Sequence, residues 1–434
     1  MSVASPEVFD PAEVKQPERP KLRDVLGPGL ITGASDDDPS GIATYSQAGA
    51  QFGYTLAWTL LLTYPLMCAI QMVSAQIGRV TGKGLAANLR KHYPLWVLYA
   101  LVSVLVIANV INLGADLGAM AAALNLLIPG PSSLYTAVFA VIIVLLEVFV
   151  RYSRYASVLK WLTISLFAYV ATVFVVGAPW GSVATSLVIP QIQWSGSYLT
   201  VVVAVFGTTI SPYLFFWQAS EEVEEQKEEP TAKPLLKAPD QAPRELSRIQ
   251  YDTIAGMGLS NLIALFIMIT TAATLNAHNV TDIQTSSQAA EALRPIAGDL
   301  AFTIFALGII GTGLLAVPVL AGSAAYALGE TFGWRVGLAQ KPHRAKAFYG
   351  AIVVATFVGA IGNLTPLDPI KALFWSAVIN GVAAVPIMAM IMLMASQRKV
   401  MGQFTIGRWL RPLGWIATAV MALAAVGMIV TWGD

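Results

Sequence analysis

Three consecutive acids, Asp36-Asp37-Asp38, followed by Pro39-Ser40-Gly41, interrupt an apolar stretch near the start of this 434-residue chain. The run from Val25 to Ser35 precedes them, and Ile42-Ala43-Thr44 resumes the apolar pattern. A carboxylate at the centre of a bilayer costs roughly 2.5–3.5 kcal/mol on insertion scales, so it faces a protein interior or a water-filled path. Pro39 removes a backbone donor and Gly41 loosens the helix, which frees carbonyl oxygens beside the acids. Carboxylates beside freed carbonyls make a hard-cation site. The competing reading is a cap on a helix at the membrane surface, with the acids in water.

A second break lies at Gly207-Thr208-Thr209-Ile210-Ser211-Pro212-Tyr213. A lone Ser-Pro in a membrane helix is commonly only a kink. Paired with the Asp-Pro break five segments earlier, it is the pattern of an inverted repeat with a site at the bilayer midplane. Two such helices facing each other would present carbonyls, the Asp38 carboxylate and the Ser211 hydroxyl to one ion.

The elements that must position these residues follow from composition. The chain is 56% hydrophobic and 12% charged, whereas soluble domains carry roughly 25% charged residues. It reads as an all-α polytopic membrane protein. A net charge of +1 gives no pull toward nucleic acid. The single cysteine, Cys68, can form no internal disulfide and reads as a core residue. The polar stretch Met1–Pro20 lacks the layout of a signal peptide.

Spanning segments are predicted near 24–51 (broken), 54–78, 95–128, 132–150, 156–178, 197–219 (broken), 251–275, 299–328, 347–363, 370–395 and 412–432, about eleven helices in all. With the N-terminus in the cytoplasm, the basic clusters Lys15–Arg23, Arg79–Lys91, Arg151–Lys160, Lys227–Arg248, Arg335–Lys346 and Arg398–Arg411 all fall inside. Only Arg294 and Lys371 fall outside, as the positive-inside rule requires. A cytoplasmic tail over 1–23 therefore leads into a transporter domain over 24–432. That domain divides into repeat one (about 24–178), repeat two (about 197–395) and an extra helix (about 412–432). The charged, proline-punctuated stretch 221–250 reads as a solvated cytoplasmic loop, and Asn276–Gly298 as a plain external connector.

Gly27-Pro28-Gly29, the Asp38-Pro39 break and Ala48-Gly49-Ala50-Gln51-Phe52-Gly53-Tyr54 resemble the first helix of the NRAMP divalent-metal transporters. Ala123-Leu124-Asn125-Leu126-Leu127 resembles the end of that family's third helix, and the order of apolar segments is similar from about Leu22 to Trp432. The resemblance implies a LeuT-type fold, with a 5+5 inverted repeat and broken helices one and six, and metal uptake into the cytoplasm.

The departures are equally informative. The family reads Asp-Pro-Gly-Asn in the first helix, so Asp38 keeps the ligand position while Gly41 stands where the coordinating Asn belongs. The family's Met-Pro-His in the sixth helix is here Ser211-Pro212-Tyr213, and its later histidine is Gln218. In the same register the ligating carbonyls would belong to Ser35 and Thr208. Thioether ligands favour softer metals and all-oxygen sites suit Mg²⁺, Mn²⁺ and Ca²⁺. The set here resembles the NRAMP-related magnesium-transporting branch.

All three histidines, His92, His278 and His343, are expected in loops, which leaves no near-neutral relay inside the helices. Asp116 matches a family acid on the proton route, and Leu113 replaces its companion acid. Asp116 reads as a functional membrane acid, the alternative being a helix–helix hydrogen bond. Glu147 is expected to pair with Arg151. Asn380 either lines the path or joins helices, and Asp36 and Asp37 widen a negative mouth or hold a second water shell.

The function expected is a secondary transporter that moves Mg²⁺ or Mn²⁺ inward by alternating access, with weak or no proton coupling. Alternatives are a proton-coupled Mn²⁺/Fe²⁺ symporter and a LeuT-type carrier of a small organic cation or amino acid. Three adjacent acids would repel an amino-acid carboxylate. An enzyme is not expected, because no nucleophile–base pair is present. The partners expected are the transported ion and the lipid bilayer of the inner (plasma) membrane, with no other cofactor, no nucleic acid and a monomeric chain.

Overall fold

The computed structural model describes residues 28–150, 162–363 and 368–432, and every regular element in them is helical. The first segment is split into α1 (Pro28–Asp36) and α2 (Pro39–Phe52), and the second is α3 (Ala57–Thr81). Next come α4 (Leu95–Asn125), α5 (Ser132–Phe149) and α6 (Phe167–Val176). The sixth segment is split into α7 (Gly196–Thr209) and α8 (Pro212–Glu228). Then follow α9 (Ala242–Thr274), α10 (Ala301–Phe332), α11 (Lys346–Gly362), α12 (Pro369–Ser396) and α13 (Leu410–Val430).

Among the described residues, eight helical stretches are long and apolar enough to cross a membrane, and Ile164–Val176 and Lys346–Gly362 are shorter apolar helices. The stretch Pro39–Thr81 contains the second half of the first anticipated segment and the second segment, divided by the tight turn Gly53–Leu56. The arrangement is consistent with eleven. The tail 1–23, Gly27, Arg151, Arg154 and the start of the fifth segment with Lys160 lie outside the described residues.

Both breaks have one local cause. Proline disfavours helical geometry in the residue before it and lacks the amide that would continue the ladder. Asp38 is accordingly extended (φ −72°, ψ 168°) with Pro39 opening α2. Ser211 is extended (φ −79°, ψ 127°) with Pro212 opening α8. Elsewhere, prolines 65, 318 and 386 sit inside intact helices; Pro318 is buried among neighbouring helices, whereas Pro65 and Pro386 lie on exposed faces.

The bundle closes around α1–α2 and α7–α8. Helix α9 runs beside both halves of the first segment, α12 lies along α7, and α4 packs on α10, α11 and α12. Small residues allow close approach. A Cβ on Gly33 would collide with the Gly256 backbone, and one on Gly207 with the backbone of Ala377 and Gly381. Cys68 is buried in the core.

The stretch 221–250 departs from the solvated loop expected of it. Helix α8 continues to Glu228 and α9 begins at Ala242, well before the anticipated start at 251. Glu222 is 0% exposed and Arg79 1%. Arg79 pairs with Glu245 at 2.8 Å, and Arg248 pairs with Glu245 at 3.2 Å, with Glu225 at 3.0 Å and with Glu222. The charges are a knot joining α3, α8 and α9, because carboxylates and guanidinium groups can leave water when each meets an opposite charge. Only the connection between Glu228 and Ala242 keeps a loop character.

Candidate metal site

Asp38 sits at the gap of the first segment as the N-cap of α2, and both its oxygens are occupied. Oδ1 accepts from the Gly41 amide at 2.6 Å and from Ser40 Oγ at 2.7 Å. Oδ2 accepts from Asn112 Nδ2 at 3.1 Å and from the Tyr213 hydroxyl at 3.4 Å. The cap is what Asp does ahead of a helix. The donors from α4 and α8 are tertiary. Asp38 is 2% exposed, so the site is occluded.

The second break meets the first at this point. Tyr213 also donates to the Ser35 carbonyl at 3.3 Å, so the phenol bridges a carbonyl of α1 and the Asp38 carboxylate. Ser211 Oγ donates to the carbonyls of Gly207 and Thr208, each at 2.9 Å. A Cβ on Gly41 would lie 3.2 Å from Thr208 Oγ1 and 3.4 Å from Asp38 Oδ1. The Thr208 side chain, and not only its carbonyl, therefore borders the gap.

Asp36 and Asp37 do not line a wet mouth. They are 1% and 4% exposed and share the Ser260 hydroxyl of α9, at 2.6 Å from Asp36 Oδ2 and 3.1 Å from Asp37 Oδ1. The reason is the close seam between α1 and α9, which leaves the acids facing a helix. Asp116 is 0% exposed on α4, and among the described residues no side chain hydrogen-bonds to it, its nearest donor being the Ser40 amide. It lies four residues after Asn112 and so on the same face of α4.

Other anticipated residues lie apart from this cluster. Gln218 donates to Thr253 Oγ1 on α9 at 3.1 Å, which places it below the gap and away from Asp38. Asn380 is buried on α12, its Oδ1 without a partner and without a bond to Asp38. Gly41 contributes an N–H donor, which orients Asp38 and cannot itself ligate a cation. Glu147 is 4% exposed, and neither of its oxygens has a partner among the described residues, which do not include Arg151. His92 closes the short helix Leu85–His92, His278 lies in the turn Asn276–His278 and His343 in the connection before α11. Burial and then the neighbouring Lys91, Lys399 and Lys83 hold the His92 imidazole below its usual range.

Four residues of the cluster were not singled out from the sequence: Asn112, Ser40, Ser260 and Ser376, the last donating to Asn112 Oδ1. Asn112 alone left a signal, its four-residue spacing from Asp116.

Taken together, the carboxyl groups of residues 36, 37, 38 and 116 are buried near one gap. Among the described residues no Lys, Arg or His forms an ion pair with any of them. Buried carboxylates without a cation are costly, so the arrangement is suited to receive one.

Residues 29–431 match the family described as natural resistance-associated macrophage protein-like, Nramp. The chain belongs to the Nramp family. Among its Nramp-family relatives, a protein named divalent metal cation transporter MntH from Klebsiella pneumoniae is 28% identical over 409 residues, which cover 92% of this chain and 91% of that protein. The MntH of Yersinia pestis is 26% identical over 313 residues, 70% of this chain and 72% of its own. Among solved structures, a manganese transporter of Eremococcus coleocola superposes with a TM-score of 0.73 at 19% identity, covering 97% of this chain and 91% of that one. MhsT, solved with L-phenylalanine, superposes at 0.63 with 13% identity, covering 93% and 98%. These likenesses give this Nramp chain the LeuT-type fold. The fold carries unlike cargoes, so the cargo must be argued from the site.

Proposed function

We propose that this chain carries divalent metal cations, Mg²⁺ or Mn²⁺, into the cytoplasm by alternating access. The observation that supports the reading is the group of buried carboxyls without a cationic partner around the Asp38 gap. The relatives named MntH point the same way. The membrane is the inner (plasma) membrane, the N-terminus is cytoplasmic and the chain works as a monomer.

The available oxygens are hard: one carboxylate with matched register, the Ser35 and Thr208 carbonyls, and the Ser211 and Thr208 hydroxyls. Hard donors with a low protein charge suit an ion that keeps part of its water shell, as Mg²⁺ does. A cavity of about 270 Å³, bordered by Ala43, Gln47 and Lys371, flanks α2 beyond the gap and provides the outer approach. Loading requires the cation to displace Tyr213 from Ser35 and Asp38. The phenol is the lock that the ion opens.

Competition between Mg²⁺ and Cd²⁺ in uptake by proteoliposomes tests the selectivity. Ser211→Met would put a polarisable sulfur at the break in place of a hydroxyl, and Cd²⁺ should gain about tenfold over Mg²⁺. An unchanged ratio in a folded variant removes Ser211 from the ion's surroundings.

A second reading, proton-coupled Mn²⁺/Fe²⁺ symport, is favoured by one observation, the buried Asp116 carboxyl. A pH-sensitive dye inside the vesicles decides between them. We expect little or no acidification during metal uptake, because Tyr213, Gln218 and Leu113 replace titratable groups. Acidification that disappears in Asp116→Asn would establish the symporter instead.

A further inference from the structure

Asn112 turns its Nδ2 toward Asp38, and its Oδ1 accepts from the Ser376 hydroxyl of α12. That hydroxyl has a second acceptor, the Leu373 carbonyl at 2.7 Å. Asn112 is 0% and Ser376 1% exposed, so bulk water does not compete for either group. An amide has two unlike ends: the NH₂ donates, and the carbonyl oxygen accepts or binds a hard cation.

A half-turn of the Asn112 amide exchanges these ends, trading the bond to Asp38 for one to Ser376. Oδ1 then faces the gap beside Asp38. Nδ2 donates to Ser376 Oγ, and the Ser376 proton turns to the Leu373 carbonyl. Asp38 loses one donor, and a cation between the two oxygens replaces it. Such terminal amide torsions are broad and roughly two-fold, so both orientations are accessible to the side chain.

We propose that Asn112 is a ligand of the transported cation, donating to Asp38 when the gap is empty and presenting its carbonyl oxygen when the gap is loaded. This rests on the divalent-cation reading of the Asp38 gap. It also accounts for Gly41. A side chain there would press on Thr208 Oγ1 and on the Tyr45 ring, so the neutral oxygen ligand comes from α4 rather than from α2. Because Ser376 takes part in the exchange, loading is felt on α12 as well as on α4.

The test is isothermal titration of the purified full-length chain with Mg²⁺, Mn²⁺ and Cd²⁺. Asn112→Leu and Asn112→Ser should each weaken Mg²⁺ and Mn²⁺ binding at least fivefold, and Mg²⁺ more than Cd²⁺, since an amide oxygen is a hard donor. If Asn112 merely held Asp38, removing it would free a carboxylate oxygen, and affinity would hold or rise. Affinity that holds or rises overturns the proposal, as does an equal loss for all three ions. Should the leucine variant elute as aggregate, the serine variant, which keeps a donor, carries the test. Asp38→Ala serves as the separate control. Undiminished binding in that variant brings down the metal-site reading itself, whereas binding lost there but intact in the Asn112 variants overturns Asn112 alone.

Discussion

Replacing Asp38 with alanine should abolish metal uptake. Among the described residues, the carboxylate is the only anion whose two oxygens receive donors from α2, α4 and α8 at once. Without it a bound ion would keep carbonyls, hydroxyls and water alone. Removing one partner of a buried charge pair costs about 3–5 kcal/mol, which is more than a hundredfold in affinity at about 1.4 kcal/mol per tenfold. The alanine also strands three donors, the Gly41 amide, Ser40 Oγ and Asn112 Nδ2, each unsatisfied group costing about 1–3 kcal/mol, while Tyr213 keeps the Ser35 carbonyl. Asp38→Asn is therefore the sharper variant, because its amide oxygen still accepts while the charge is gone. Proteoliposome uptake of Mn²⁺ should fall to background in both, with the asparagine variant eluting as wild type. Robust uptake by folded D38N would remove the Asp38 charge from transport.

The second large effect lies away from the gap. Arg248→Leu leaves Glu222, 0% exposed, without its guanidinium, and strips partners from Glu225 and Glu245. An orphaned buried carboxylate costs about 3–5 kcal/mol. The apparent melting temperature of the detergent-solubilised protein should fall by several degrees. Adding Glu222→Leu should restore part of the loss, since an apolar pair of similar volume replaces a buried ion pair at little cost. A single variant that melts as wild type would show that the knot adds no stability.

The breaks were legible because their cause is local. Asp38-Pro39 and Ser211-Pro212 carry the interruption in adjacent residues, and the extended geometry of Asp38 and Ser211 follows from the proline alone. The spanning segments were legible through the length of apolar runs. Of the partners of Asp38, Tyr213 was named with the second break, although its bond to Asp38 spans 175 residues of chain. Asn112, 74 residues away, was not singled out, because its four-residue spacing from Asp116 gives only a shared face and not what that face meets. The stretch after Ser220 was misread for the same reason. Its glutamates look solvated until Arg79 and Arg248 are folded against them, and composition has no access to that pairing. The mouth assigned to Asp36 and Asp37 failed because Ser260 reaches them across 224 and 223 residues of chain.

The seam between α1 and α9 has a mechanical consequence. Where backbone meets backbone at Gly33 and Gly256, there is no layer of side chains to shear. Sliding one helix along the other is therefore obstructed, while parting them uncovers little apolar surface. In a bilayer, where apolar burial drives helices together only weakly, contact of this kind is held by short-range attraction and vanishes within an ångström or two of separation. One charge-assisted bond spans the seam's far end, from the Gly29 amide to Asp252 Oδ2 at 2.6 Å. Helix α1 is thus a door with a flush edge and a clasp toward each end, Gly29 to Asp252 and Asp36 to Ser260, joined to the rest of the first segment by the unwound residues before Pro39. Such a door stands open or shut and has no stable position between.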